Sequence, residues 1–387
     1  MPLYHGMSPA KRYKPSTNSR PDRGGAVGRG PAESDRIYGV GARRSRRPME
    51  YDALRSRLTG GLDYRDVIAL PDGSVDRYYG VADATGERIR TLPAFVDRLS
   101  GGVRSLKLVS EAVRPGGQAV NAARQASVLG PDVTLYGHLD DPHLGSFPFR
   151  TISMGAPATV QVLSFDEEEM MLAVESEDIR EWRIEDLFAA VRTEPDAWLS
   201  DEVVVLQNWV GVDGMTDAIG TLADLDLGAA TVVFDPGDVT ASSAEPLRAL
   251  CRALGALAAE TEVVLTANDR EIGRLAAVLG VEATGTEREL ALRDRLGIDA
   301  VVLHDERRAA AATDELTVVQ NFEAERVRRR TGAGDRFDGA LATGIAAGLP
   351  WGECLALGNA CATYFVEQGE TATRDDVREL LDRRSDR

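Results

Sequence analysis

From residue 66 onward the chain alternates short, continuous apolar runs with longer stretches in which apolar residues recur every third or fourth position. The runs predict strands and the longer stretches predict helices. "DVIALPDGSVD" (66–76) reads as a strand running into a turn, "GGQAVNAARQASVLG" (116–130) as a helix stopped by glycine, and "DVTLYGHL" (132–139) as the next strand. "ATVQVLSFDEEEMMLAVE" (158–175) differs, with two alternating segments around an acidic turn, Asp166 to Glu169, which is the pattern of a hairpin. Strands are then expected in "EVVVLQNWV", "ATVVFD", "EVVLTA" and "DAVVLH", with helices near 213–224, 245–258 and 269–279 between them. Strands separated by helices predict a doubly wound α/β fold, a mostly parallel sheet with helices on both faces. Ligands of such sheets bind beyond the carboxyl ends of the strands, which singles out Asp76, Asn208, Asp235 and Asn268.

Residues 1–48 break this pattern. They hold scattered Pro, Gly, Ser and Arg with almost no apolar periodicity, so a disordered basic extension is expected there, with the folded domain at 49–387. Charge sharpens the boundary. The head carries eleven Lys or Arg against three Asp or Glu, although the whole chain has a formal net charge of -17. Beyond it Lys107 is the single lysine, and this acidic, arginine-only composition resembles that of salt-adapted proteins. An acidic body repels polyanions, so nucleic acid is not an expected partner. No apolar run approaches membrane-spanning length and no secretory leader pattern is present, so a cytoplasmic location without a membrane partner is expected. Cys251, Cys354 and Cys361 lack metal-ligand spacing and read as core residues.

Chemistry concentrates in "RRRTGAGDRFDGALATGIAAGLP" (328–350). Phe337, Ala340, Leu341, Ile345 and Ala346 form a helical stripe, and Gly348 with Pro350 marks its stop, so Gly332, Ala333, Gly334 and Asp335 make the first turn. A helix start offers unpaired N–H groups and the positive end of the macrodipole, and small residues let an anion approach them. Taken alone, the pattern fits either a capping aspartate or an anion hole with an acid beside it.

Together with other segments, "TGAGDRFDGALATG" resembles the C-terminal signature of the ribokinase or PfkB-type carbohydrate kinases. "RPGGQAVNAARQASVLG" resembles their N-terminal signature through Gly116, Gly117, Asn121, Ala123, Leu129 and Gly130. "ALPDGSVD" resembles their first strand and acceptor aspartate, "LTANDREIGRL" their Asn-x-x-Glu pair, and "VVFDPG" the Asp-Pro-Gly before it, all in the family's order over about residues 65–370.

The resemblance implies a ribokinase-like fold with a small β-lid, here near 77–115 and 150–180, and a nucleotide-dependent kinase acting on a sugar or sugar phosphate. It implies Asp335 as general base and the backbone of Gly332, Ala333 and Gly334 as anion hole. Asp76, Gly116, Gly117, Asn121 and Arg124 would bind the acceptor, Asn268 and Glu271 would act with Mg²⁺ and phosphate, and Thr331 and Asn359 would lie by the nucleotide. ATP is the default donor, with ADP open, and no direct protein ligand set for a metal is expected. A homodimer through the lid edge is possible. Directly before the turn, where the family has an Asp that helps to hold a monovalent cation, this chain has Arg329, Arg330 and Thr331, a departure that leaves the use of a monovalent cation open. Arg77, Arg124 and Arg328 to Arg330 favour an acceptor that already bears a phosphate, such as ribose 1-phosphate. A free-sugar or nucleoside kinase, and a non-catalytic binding protein on the same fold, are the alternatives.

Overall fold

The computed structural model describes residues 49–191, 199–285 and 287–385, so the expected head at 1–48 lies outside the described residues. Among the described residues, thirteen strands form two sheets. β1 (Val67–Leu70), β4 (Val133–Gly137), β5 (Arg150–Ser153), β8 (Val203–Gln207), β9 (Thr231–Asp235), β10 (Glu262–Ala267), β11 (Ala300–His304), β12 (Arg308–Ala312) and β13 (Leu316–Gln320) make the larger sheet. Its order is β13-β12-β11-β10-β9-β8-β1-β4-β5, parallel from β11 to β5, with β12 and β13 antiparallel at one edge.

Why these strands read as unbroken apolar runs is visible in β8. Val203 and Val205 face one apolar cluster, shared with the helices Gln118–Leu129, Ala333–Ala346 and Trp351–Gln368. Val204 and Leu206 face the other, shared with Met215–Leu222, Ala244–Leu257 and Asp269–Leu279. A strand covered on both faces has no solvent side on which to place polar residues. On the first face the Gln118–Leu129 and Ala333–Ala346 helices cross so closely that a Cβ on Gly339 would lie 2.3 Å from the carbonyl oxygen of Ala122. This contact brings together two helices more than 200 residues apart in sequence.

β2 (Ser74–Ala82), β3 (Lys107–Gly116), β6 (Ala158–Ser164) and β7 (Glu169–Val174) form the second sheet, in the order β3-β2-β6-β7. β6 and β7 are the expected hairpin. Two expectations need correction. The segment 66–76 does run from a strand, β1, into a turn at Pro71, Asp72 and Gly73, but Asp76 does not stand just beyond that strand: it lies inside β2 of the second sheet. Within 150–180, β5 pairs with β4 at the edge of the larger sheet and does not join the smaller one. No described helix is long and apolar enough to cross a membrane.

Candidate active site

Sheet order creates a crevice. β1 is followed in the sheet by β4 on one side and by β8 on the other, so the chain reverses its direction of winding there, and the loops after β1 and β8 diverge. Asp72 and Asn208, the first polar residues beyond those strands, meet across the gap, with Asn208 Nδ2 donating to Asp72 Oδ2 at 3.0 Å. Asn208 has φ 66°, the sole positive φ outside glycine among the described residues, which is the kind of backbone strain that clusters at functional sites. Asp72 also accepts from the backbone N–H groups of Gln118 (3.0 Å) and Ala119 (2.7 Å) and thereby fixes the start of the Gln118–Leu129 helix. Burial pushes its carboxyl up to about 6.

That helix carries Asn121, whose Nδ2 donates to Asp335 Oδ2 at 2.8 Å. Asn121 is buried and turned inward, not toward solvent. Asp335 sits in the first turn of Ala333–Ala346, behind Gly332 in the left-handed region at φ 89°. Burial raises its pKa, while the Arg336 guanidinium and hydrogen bonds from Asn121 and Gln118 pull it back down. A Cβ on Gly334 would come within 3.2 Å of the His304 ring at the end of β11. The turn therefore stays bare, with helix-start N–H groups directed out of it. Ala333 is the exception, because its N–H donates to the Arg330 carbonyl at 3.1 Å, so its expected place in the anion hole does not hold in this structure.

Asp76 and Gly117 lie on the other wall. Ser74 Oγ donates to Asp76 Oδ1 at 2.6 Å, and Asp76 covers Gly116 so closely that a Cβ there would stand 2.2 Å from the same oxygen. Gly117, at φ 98°, passes Gly73 at a distance that leaves no room for a side chain. Burial raises the Asp76 pKa, opposed by its bond from Ser74 and by Arg329.

Asp76, Asn121, Thr331 and Asp335 line one cavity of about 430 Å³, which extends to Asn268 and Glu271. A neighbouring cavity of about 570 Å³ holds Asn359, Asn321 and Phe322. The two share Asn268, His304 and Gly334, so they meet at the anion turn. Asn359 is buried and donates to the Tyr51 hydroxyl at 3.2 Å, and is not the exposed helix residue that its sequence context allows. Thr331 falls on the Asp335 side of the turn. Arg124 is not brought to Asp76; it lines a third cavity.

Asn268 and Glu271 make a capping box on the Asp269–Leu279 helix, and both also face the Asp335 cavity. Glu271 is pushed up to about 7, first by burial and then by Asp235. Asp235 and Asp338 are a buried carboxylate pair, each raised by burial, with Gln207 Nε2 (3.0 Å) and Thr266 Oγ1 (2.8 Å) donating to Asp338. Their oxygens and a His304 ring nitrogen lie within 4.8 Å of one another. The Asp235 and Asp338 carboxylates are hard oxygen donors of the kind Mg²⁺ takes, and the His304 nitrogen is not.

Sequence reasoning missed Asp72, Asp338 and Arg336. Asp72 directly follows the apolar run of β1, and Asp338 sits one helical turn after Asp335 inside an otherwise apolar stripe. Both signals were present, but neither separates a site residue from an ordinary cap or a solvated face.

Comparison with known proteins agrees with this architecture. The prokaryotic ketohexokinase family model matches residues 53–384. A ketohexokinase of Haloferax volcanii is 27% identical over 354 residues, covering 84% of this chain and 93% of that protein. Among solved structures, a ribokinase from Thermotoga maritima superposes with a TM-score of 0.61 at 18% identity, covering 82% of this chain and 100% of that one. A fructokinase with bound ATP from Xylella fastidiosa gives 0.59 at 16% identity, covering 83% and 99%.

Proposed function

The chain belongs to the prokaryotic ketohexokinase family and is a sugar kinase, a phosphotransferase with an alcohol acceptor, and on that premise we propose that it phosphorylates a ketohexose such as fructose with ATP. The observation that carries this reading is the meeting of two cavities at the Gly332–Asp335 turn, one lined by carboxylates and amides suited to sugar hydroxyls, the other large enough for a nucleotide. Phosphoryl transfer needs little more from a protein than in-line positioning and charge stabilisation at such a junction.

In this reading Asp76, Gly117 and Asn121 orient the acceptor, with Gly116 kept bare to admit Asp76. Asp335 accepts the hydroxyl proton as the sugar oxygen bonds to the γ-phosphorus and the bond to the β,γ-bridging oxygen breaks, releasing ADP. The N–H groups of Gly332 and Gly334 hold charge on the transferring group. Asn268 and Glu271, through water, and Asp235 would hold Mg²⁺, which supplies neutralising charge to the phosphates when bound. Asn359 flanks the nucleotide, whereas Thr331 lines the acceptor cavity and not the nucleotide side where it was expected. The smaller sheet serves as a lid over the acceptor, and its exposed apolar residues Leu108, Val113, Leu172 and Val174, on edge strands β3 and β7, favour pairing with a second copy.

The second reading is an acceptor that already carries a phosphate, such as ribose 1-phosphate, and the arginines around Arg329 favour it. Coupled ADP release with fructose, ribose 1-phosphate, fructose 6-phosphate, ribose and cytidine in molar KCl discriminates between them. Fructose should give the highest kcat/KM, and preference for any other acceptor by about tenfold or more refutes the ketohexose reading.

A further inference from the structure

Beside the acceptor cavity lies a third, of about 590 Å³, lined by five arginines: Arg114, Arg124, Arg328, Arg329 and Arg336. It touches the acceptor cavity through Arg329, which lines both. The arginines come from four places in the chain: β3, the Gln118–Leu129 helix, the segment before the anion turn, and the residue directly after Asp335. They converge only in the folded protein.

Their charges are barely answered from within. Among the described residues, none of Arg114, Arg124, Arg328 and Arg336 has a carboxylate within ion-pair distance, and Arg329 reaches only Asp76, at 4.0 Å. Two carboxylates, Glu169 and Glu370, share the lining without pairing to any of the five. In a chain whose net charge is -17, an unpaired cluster of cations is not a consequence of scarce carboxylates.

Arg336 is 2% exposed, its guanidinium lies 4.5 Å from the centre of the Phe365 ring, and its Nε has no hydrogen-bond partner. Arg329 lies between the rings of Tyr78 (4.9 Å) and Phe365 (5.3 Å), donates to the Tyr78 hydroxyl, and likewise leaves Nε unpartnered. Thr371 Oγ1, on the same wall, is buried without a partner. Burial first, and then Arg124 and Arg329, pull the Arg336 pKa down to about 9, despite the opposing pull of Asp335. Buried N–H donors that lack an acceptor are costly, so such a cluster persists where something outside the chain supplies oxygens.

We propose that this cavity binds a phosphate group. Several guanidinium forks and a hydroxyl match tetrahedral phosphate oxygens, and stacking on Tyr78 and Phe365 holds two of the forks in place. The inference stands on the cavity itself and does not depend on which sugar is the acceptor. The group can arrive in two ways, as the far end of a phosphorylated sugar in the adjoining cavity or as free phosphate.

Isothermal titration of the full chain with potassium phosphate, against potassium chloride at matched ionic strength, tests it. One phosphate should bind per chain. Arg336→Gln should weaken binding by about tenfold or more and Arg114→Gln by about threefold or more, while Arg252→Gln, on an exposed helix face remote from the cavity, should bind as wild type does. If Arg336→Gln fails to fold, Arg114→Gln decides. Heats equal to those of chloride, or both pocket variants binding like wild type, overturn the proposal. Repeating the titration at saturating fructose and then with fructose 6-phosphate separates the sources: displacement of phosphate by the sugar phosphate alone assigns the group to an acceptor, and retention beside both assigns it to an independent anion. Fructose turnover without phosphate binding would defeat this inference and leave the kinase reading intact; phosphate binding without fructose turnover would do the reverse.

Discussion

Asn121 offers a direct test of Asp335 as the base. Its amide donates to the Asp335 carboxylate at 2.8 Å in a buried site, and this bond opposes the upward push of desolvation on the Asp335 pKa. Asn121→Leu keeps the side chain's approximate volume and removes the donor. A hydrogen bond to a buried charged group contributes about 1.5–3 kcal/mol, and about 1.4 kcal/mol corresponds to one pKa unit, so the Asp335 pKa should rise by roughly one to two units. A base must be ionised to accept a proton, so the acid limb of the rate profile should move to higher pH by the same amount. The assay is kcat at saturating fructose and ATP, from about pH 5 to 9, for wild type and variant. At the acid end the variant should be about ten- to a hundredfold slower, and the gap should narrow as pH rises past the shifted limb. A uniform drop at every pH, with the limb unmoved, would refute the argument, because it would mean that Asn121 only binds the acceptor and that Asp335 does not titrate in the step.

Three further outcomes are expected. Asp335→Asn preserves size and can still accept the hydrogen bond from Asn121 but cannot take a proton, so kcat should fall by about a hundredfold or more with melting nearly unchanged; activity within about twofold of wild type would remove Asp335 from the mechanism. Gly339→Ala drives a Cβ to 2.3 Å from the Ala122 carbonyl, and denaturant titration should show a loss of about 1–3 kcal/mol, since the two helices must separate; an unchanged midpoint would mean that their contact is loose. With a net charge of -17, thermal stability should rise when KCl is raised from millimolar to molar concentration, and a flat or falling melting temperature would show that self-repulsion is unimportant.

The sequence by itself determined the alternation of strands and helices from β8 to β11 and the class of chemistry. Strands buried on both faces, such as β8 and β9, are legible because nothing polar can stand in them, and the Ala333–Ala346 helix is legible because its start demands small residues and its stop demands glycine. These are local requirements, met by neighbours in the chain. Asp76 could be named from its motif, but its place in the smaller sheet could not, since the turn at Pro71 to Gly73 reads like the end of a strand. Only the tertiary structure decided which distant residues meet. Asn121 and Asp335 are 214 positions apart and are joined because two helices cross at Gly339; Asp72 reaches Asn208 because the sheet reverses its winding between β1 and β8; Asp338 finds Asp235 and Thr266 beneath the turn. The arginine cavity is the plainest case. In the sequence Arg124, Arg328 and Arg329 already pointed to a phosphate, but Arg114 and Arg336 were ordinary basic positions, and the convergence of all five and their lack of partners are properties of three-dimensional neighbours, which no one-dimensional pattern contains.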